Sequence, residues 1–287
     1  MKIALIGLGE VGAIIAEDLA PRANLSAWDT QFANAASKPS RAMTGRPIRR
    51  GKDAADAVSG VDLVISAVTA AQTENAASDA GKGISKGAWY LDLNSASPGA
   101  KRNAAQAINS AGGKYVEAAV MSPFPPKRSA SPILLGGPYA EAFLPIARDL
   151  GFSGARVFSP EYGKASAAKL CRSVMVKGIE ALLTESMLSA RYYGVEDTVL
   201  ASLDDLFPGP NWPKLSRYMI SRAVEHGTRR AEEMREAART VKEAGIAPLL
   251  SEATAARQDW AAAFKNALAG EDLQSLLDVM REEMDKT

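Results

Sequence analysis

The 287-residue sequence predicts an α/β fold, a doubly wound parallel sheet followed by an all-helical half joined to it by a long helix. Three observations carry this. From residue 1 to about 158, short apolar runs alternate with alanine-rich helical stretches, the pattern of βαβ units. The first apolar run enters a glycine-rich turn and a helix. After Ser159-Pro160 the periodicity becomes helical and stays so.

Strands are expected at residues 2–6, 25–28, 62–68, 88–93, 114–120, 132–136 and 155–158. The first opens Lys2-Ile3-Ala4-Leu5-Ile6-Gly7-Leu8-Gly9-Glu10-Val11-Gly12, a G-x-G-x-x-G entry to a dinucleotide-binding, Rossmann-type domain. Gly7 allows the tight turn, Gly9 lets backbone approach a pyrophosphate, and Gly12 lets the helix pack on the strand. The backbone of Leu8, Glu10 and Val11 completes the turn, and the helix start offers N–H groups and a positive dipole end to the phosphates. The second strand, Leu25-Ser26-Ala27-Trp28, ends in Asp29, 20 residues after Gly9 and placed to accept hydrogen bonds from ribose hydroxyls.

A carboxylate at Asp29 favours NAD, because it repels a 2′-phosphate. The basic stretch Arg41, Arg46, Arg49, Arg50 and Lys52, flanked by Pro39 and Pro47, reads as a solvated loop. Folded over the adenosine end, it would support NADP instead. Val64 and its neighbours in 62–68 have the continuous apolar character of a central strand, so Val68 and Thr69 fall at the carboxyl edge, where ligands bind.

Composition bounds the rest. The chain exceeds the ~250 residues at which single cores stop growing, so two domains are expected, 1–160 for dinucleotide and 161–287 for substrate and dimerisation. A net charge of +1 gives no drive toward nucleic acid or an anionic membrane. The single cysteine, Cys171, excludes an internal disulfide framework and fits a reducing cytosol. No segment approaches the ~18 uninterrupted apolar residues of a membrane span. With one histidine, His226, a multi-histidine metal site is excluded; followed by Gly227, it reads as a helix C-cap or surface residue.

From about 161 to 193 the chain lacks a strong helix breaker, and a helix of that length spans roughly 50 Å, more than one compact layer. Punctuation at Pro208-Gly209-Pro210, Gly245 and Pro248 divides the rest of the helical half, which ends in an amphipathic stretch from Leu273 to Met284.

Three segments carry candidate chemistry. In Gly163-Lys164-Ala165-Ser166-Ala167-Ala168-Lys169-Leu170-Cys171-Arg172-Ser173, helical spacing sets Lys169 and Ser173 one turn apart with Arg172 beside them. A desolvated lysine loses affinity for its proton and can take one from an alcohol; a solvated helix lysine is the plainer reading. In Asp92-Leu93-Asn94-Ser95-Ala96-Ser97-Pro98, Ser97 before Pro98 is a helix cap, and Ser95 can bind substrate. Glu117-Ala118-Ala119-Val120-Met121-Ser122-Pro123-Phe124-Pro125-Pro126 leaves a strand for a proline-rich connection.

In order and spacing these segments resemble the β-hydroxyacid dehydrogenase family, relatives of 6-phosphogluconate dehydrogenase. That resemblance implies a nicotinamide cofactor at Gly7, Gly9, Gly12 and Asp29; Leu8, Glu10 and Val11 of the turn, Val68 and Thr69 at the sheet edge, and Asn94 complete the expected cofactor set. It further implies a substrate segment at Asn94 and Ser95, Lys169 as the catalytic lysine, and pairing of subunits through the helical domain. The tail Glu225-His226-Gly227-Thr228-Arg229-Arg230 looks like an uncharacterised C-terminal domain found behind some such NAD domains. Two departures stand out. Ser173 replaces the family's asparagine four residues after the lysine, and Ser122 and Pro123 replace two glycines whose N–H groups grip a carboxylate. Proline has no N–H, so Ser95, Ser122 and Arg172 are expected to take over the substrate anion. The implied activity is NAD(P)-dependent interconversion of a β-hydroxy acid, a small-molecule substrate, with its carbonyl form. Imine reductases resemble the same architecture but commonly lack the lysine, and a dinucleotide-binding protein without turnover is a third reading.

Overall fold

The computed structural model describes residues 1–285. The chain divides into two compact units, Met1–Lys169 and Leu170–Thr287, with the division inside a helix.

The first unit runs β1 (Lys2–Ile6), α1 (Glu10–Leu19), β2 (Asn24–Trp28), α2 (Lys38–Met43), β3 (Ile48–Arg50), α3 (Ala54–Val58) and β4 (Leu63–Ser66). It continues with α4 (Thr73–Gly81), β5 (Trp89–Asp92), α5 (Pro98–Ser110), β6 (Lys114–Val120), α6 (Phe124–Lys127), β7 (Ile133–Gly136), α7 (Ala140–Asp149) and β8 (Ala155–Ser159). The eight strands form one sheet ordered β3-β2-β1-β4-β5-β6-β7-β8. The order reverses between β1 and β4, which makes the sheet doubly wound and sets a crevice at their carboxyl ends.

Two features depart from the sequence expectation. Ile48–Arg50, expected as loop, pairs in parallel with β2 as an edge strand. Only Ile48 faces the core, so the segment carries no apolar run. The sheet is also not wholly parallel, because β7 pairs antiparallel with β6. The β6–β7 connection holds only single helical turns, too little for the crossover a parallel pair needs.

Apolar side chains cover both faces of the sheet. One face packs Ile3, Leu5, Ile65, Leu91 and Val116 against α1 and α7. The other packs Ala4, Ile6, Val64, Tyr90 and Tyr115 against α3, α4 and α5. Strands buried on both sides read as the continuous apolar runs seen in the sequence.

α8 (Lys164–Tyr193) has 30 residues and begins in the first unit, where Ala165 packs on Ala119 and Leu134. The second unit adds α9 (Glu196–Leu206), α10 (Trp212–Glu243), α11 (Leu249–Ala261) and α12 (Leu273–Met284). Its core gathers Leu183, Met187, Ile220, Val224, Phe264, Leu276, Leu277 and Met280. His226 does not end its helix as the sequence suggested. α10 runs through it with a kink, φ −122° and ψ 15° at His226. The kink frees carbonyls, and Lys265 Nζ donates to two of them, Val224 O at 2.5 Å and Glu225 O at 2.7 Å. Gly227 is buried against α11, where a Cβ would stand 2.2 Å from Gln258 O. No helix among the described residues is long and apolar enough to cross a membrane.

Candidate functional site

The glycine turn after β1 is shaped as its spacing requires. Gly7 has φ +87°, and a Cβ there would stand 2.5 Å from Ala67 O. A Cβ at Gly12 would lie 2.1 Å from Gly7 O, so the first helical turn packs on the turn itself. At Gly9 a Cβ would meet nothing within 4 Å. That open side is where backbone can approach a phosphate, and Gly9, the N-cap of α1, has no side chain closing the helix start. Glu10 and Val11 open that helix.

Two predicted contributors are engaged by the protein itself. Leu8 is fully buried, and its N–H donates to Asp29 Oδ2 at 2.8 Å. Leu8 therefore fixes the turn and has no N–H left to offer. The other Asp29 oxygen accepts from Gln31 N–H at 2.8 Å, capping the short turn after β2. Asp29 still faces an open cavity of about 340 Å³, lined also by Trp28, Thr30, Phe32, Ala33, Arg50, Gly51 and Lys52. The Arg50 guanidinium lies over the Phe32 ring, 5.0 Å from its centroid. Arg50 and Lys52, expected in a solvated loop, thus share a cavity with Asp29. Uncapped helix start, open Gly9 and this cavity together fit a dinucleotide.

At the ends of β4 and β5, Asn94 is buried and its amide is engaged at both its oxygen and its nitrogen. Its Oδ1 accepts from Val68 N–H at 2.7 Å, and its Nδ2 donates to Ser66 Oγ at 3.0 Å. Asn94 thus holds the Val68-Thr69 edge to the Ser95 segment and is a strap between loops. Ser97 caps α5 as predicted, accepting from Ala100 N–H at 3.3 Å, with Pro98 in the first turn.

Beneath this loop lies a buried ionic group. Lys101 Nζ, from α5, is 2.8 Å from Asp92 Oδ1 and 3.1 Å from Asp92 O. Tyr115 donates its hydroxyl to Asp92 Oδ2 at 2.6 Å, and Asn94 N–H donates to Asp92 Oδ1 at 2.8 Å. Burial, then the Asp92 charge, pushes the Tyr115 hydroxyl well above its ordinary value, so it stays a donor.

Lys169 meets Ser95 here. Its Nζ donates to Ser95 Oγ at 2.5 Å, joining segments 74 residues apart, and both residues are half-buried. The start of α8 is set by Glu117 of β6, a fully buried carboxylate. Glu117 accepts from Gly163 N–H at 2.5 Å and Ser166 N–H at 2.7 Å. Glu117 lies outside the set of residues that the sequence nominated; its signal is an acid inside an apolar strand.

Ser122 is half-buried, with its hydroxyl turned to Pro123 O at 3.3 Å. Arg172 and Ser173 follow Lys169 on α8 and belong to the second unit. Arg172 is exposed, whereas Ser173 is buried and accepts from Lys177 Nζ at 3.1 Å. Lys177 pairs with Glu233 at 2.7 Å, and Glu180 with Arg230 at 3.0 Å and Gln258 at 3.0 Å. Burial raises the Glu180 carboxyl despite the Arg230 guanidinium. Among the described residues no cluster of histidine, cysteine or acids could hold a metal.

Residues 2–151 match the NAD binding domain of 6-phosphogluconate dehydrogenase, and residues 190–261 match a domain of unknown function, DUF1932. A conserved hypothetical protein from Sinorhizobium meliloti is 34% identical, with a TM-score of 0.78 over 97% of this chain and 95% of that one. MTH1747, a conserved protein of unknown function described as structurally similar to 3-hydroxyacid dehydrogenases, is 28% identical, with a TM-score of 0.72 over 91% of this chain and 96% of its own. Mycobacterium tuberculosis 3-hydroxyisobutyrate dehydrogenase shares the fold at 19% identity, with a TM-score of 0.69 over 98% and 99% of the two chains. A Streptomyces aurantiacus imine reductase shares it at 18% and 0.56, over 98% and 99%. The chain belongs to the family built on the NAD binding domain of 6-phosphogluconate dehydrogenase.

Proposed function

We propose that this protein is an NAD(P)-dependent oxidoreductase that interconverts a β-hydroxy acid with its carbonyl form. The observation that carries this reading is the Lys169–Ser95 contact at the carboxyl edge of a dinucleotide-binding sheet. When bound, the nicotinamide would accept hydride from the substrate carbon. Gly7, Gly9, Glu10, Val11 and Gly12 would hold the pyrophosphate, Asp29 the ribose, and Val68 and Thr69 the nicotinamide end.

Lys169 takes the hydroxyl proton during oxidation and returns it to the carbonyl oxygen during reduction. Ser95, already hydrogen-bonded to the amine, orients the substrate hydroxyl toward it. Ser95, Ser122 and Arg172 are proposed to hold the substrate anion, because Pro123 has no N–H to grip it, and Ser173 to orient the substrate with Ser95. Asp29 makes NAD the proposed cofactor. Arg50 and Lys52 in the same cavity favour NADP as the alternative.

A second reading, imine reduction, is supported by the imine reductase that shares the fold. Retention of the lysine favours the alcohol. The proposed assembly is a homodimer through the helical unit, where Met175 and Leu182, seven residues apart on α8, are 64% and 69% exposed. Light scattering tests it.

The deciding experiment screens NAD⁺ and NADP⁺ reduction against aliphatic, sugar-derived and aryl hydroxy acids and cyclic amines, with Lys169→Ala beside the parent. Loss of a general base predicts a fall of about 10² to 10⁴ in kcat on the hydroxy acid. Equal rates for parent and variant would remove Lys169 from the reaction, and turnover of amines alone would favour the second reading.

A further inference from the structure

Asp92 and Glu117 are register partners on the adjacent parallel strands β5 and β6, so their carboxylates leave the sheet on the same face. Both are completely buried. Each is tied to one side of the Lys169–Ser95 contact. Asp92 accepts from Asn94 N–H, the residue before Ser95. Glu117 accepts from Gly163 and Ser166, the opening turn of the helix that carries Lys169.

We propose that Glu117 is a positioning residue that fixes Lys169 on Ser95 by capping α8 from the sheet. The helix has no cap of its own. Gly163 accepts the first intrahelical bond, from Ala167 N–H at 2.9 Å, and therefore occupies the N-cap without a side chain. Its φ of +90° suits glycine, and a Cβ there would meet Pro98 Cβ at 3.0 Å. Two of the four N–H groups that a helix start leaves unpaired are taken by one carboxylate on a central strand, as charge-assisted bonds at the positive end of the helix dipole.

The surroundings are fitted to that carboxylate. Gly136 of β7 pairs with Glu117 in register, and a Cβ there would stand 2.8 Å from Glu117 Oε2. Lys169 lies less than two turns into α8, so a small rotation of the helix start moves its amine off Ser95. Glu117 acts through the helix.

The inference rests on Lys169 as the base of the proposed reaction, and its test reads placement without turnover. Trace acetic anhydride labels the full-length chain, and acetylation of Lys169 is compared with that of exposed Lys38 by mass spectrometry. Parent, Glu117→Gln and Gly136→Ala are compared, the last pushing a methyl against the carboxylate without removing it. Amide exchange over residues 163–166 is measured alongside, with NAD⁺ affinity by calorimetry. A Gln side chain keeps one acceptor and puts an N–H against the other donor, so exchange rises about tenfold. Lys169, released from Ser95, labels at least about threefold faster relative to Lys38, with NAD⁺ affinity unchanged.

Glu117→Asp, with the charge kept on a shorter arm, falls between. Faster exchange with Lys169 labelling unchanged would reduce Glu117 to a stabilising cap and overturn the proposal, as would no change in either. If Glu117→Gln does not fold, Gly136→Ala alone decides by the same readouts. A null result from Lys169→Ala turnover would sink the proposed mechanism and leave this placement standing.

Discussion

Removing the ammonium from Lys101 should destabilise the first unit far more than its volume suggests. The Lys101 and Asp92 side chains are 0% and 1% exposed, with Nζ 2.8 Å from Oδ1. Methionine fills nearly the same space, so Lys101→Met costs little packing. Its effect is to leave the Asp92 carboxylate with two uncharged donors, Tyr115 OH at 2.6 Å and Asn94 N–H at 2.8 Å. Breaking one side of a buried pair costs about 3–5 kcal/mol. With two donors remaining, the lower half of that range is expected, about 3 kcal/mol, or about a hundredfold in the folding equilibrium. The assay is urea unfolding followed by Trp28 and Trp89 fluorescence, in a background where Trp212 and Trp260 are phenylalanine, so that only the first unit reports. The midpoint should fall with the slope unchanged. Adding Asp92→Asn should recover much of the loss, because the amide keeps an acceptor for Asn94 and the Tyr115 hydroxyl can accept as well as donate. A loss below about 1 kcal/mol, or a double variant as unstable as the sum of the singles, would refute the reading of this pair as a buried charge that needs its partner.

The geometry leads to three more outcomes. Gly12→Ala places a methyl 2.1 Å from Gly7 O and should cut NAD⁺ affinity by more than about tenfold in calorimetry; affinity within about twofold of the parent would contradict the turn geometry. Lys265→Met strips the donor from the two carbonyls freed by the His226 kink, a loss of about 1–3 kcal/mol seen as a lower melting temperature in far-ultraviolet circular dichroism; an unchanged melt would mean water serves those carbonyls equally well. Burial, then the charge of Arg222, lowers the His226 imidazole below its ordinary value. The folded chain therefore binds that proton less readily than the unfolded chain, so stability holds above about pH 6.5 and declines as pH falls through the window below it. His226→Gln should make this acid-side decline shallower, and equal slopes in both proteins would exclude His226 as its source.

What the sequence showed and what it hid divide along physical lines. The strands Lys2–Ile6, Asn24–Trp28 and Lys114–Val120 were legible because strands buried on both faces carry nearly continuous apolar runs. The glycine turn was legible because each glycine answers a separate demand; the structure shows the close approaches at Gly7 and Gly12 and leaves the side of Gly9 open. The edge strand Ile48–Arg50 was hidden because an edge needs only one inward residue and carries charge on the rest. At His226 the local signal misled. A glycine after the histidine resembles a helix end, but Gly227 is there because α11 passes too close for a Cβ. Leu8 and Asn94 were placed at the cofactor by their positions in the motif, and whether their polar groups were already engaged with Asp29, Val68 and Ser66 depends on contacts more than 20 residues away in sequence.

The capping of α8 shows how such a contact becomes readable. Spacing rules compare residues three or four apart, and Glu117 is 46 residues from Gly163. Yet both halves leave a local trace. A 30-residue helix that starts at Gly163-Lys164, with no serine, threonine, aspartate or asparagine at the N-cap, declares unmet N–H groups. An acid in the middle of Tyr115-Val116-Glu117-Ala118-Ala119 declares a buried carboxylate with no partner on its own strand. Neither is informative alone, because exposed helix starts are served by water and some strand acids face solvent. Taken together, in a sheet whose strands are covered on both faces, the unmet donors and the unmet acceptor satisfy one another. An uncapped long helix and a lone acid in an apolar strand should therefore be sought as a pair, and where the helix also carries a reactive lysine, the pair locates the residue that aims it.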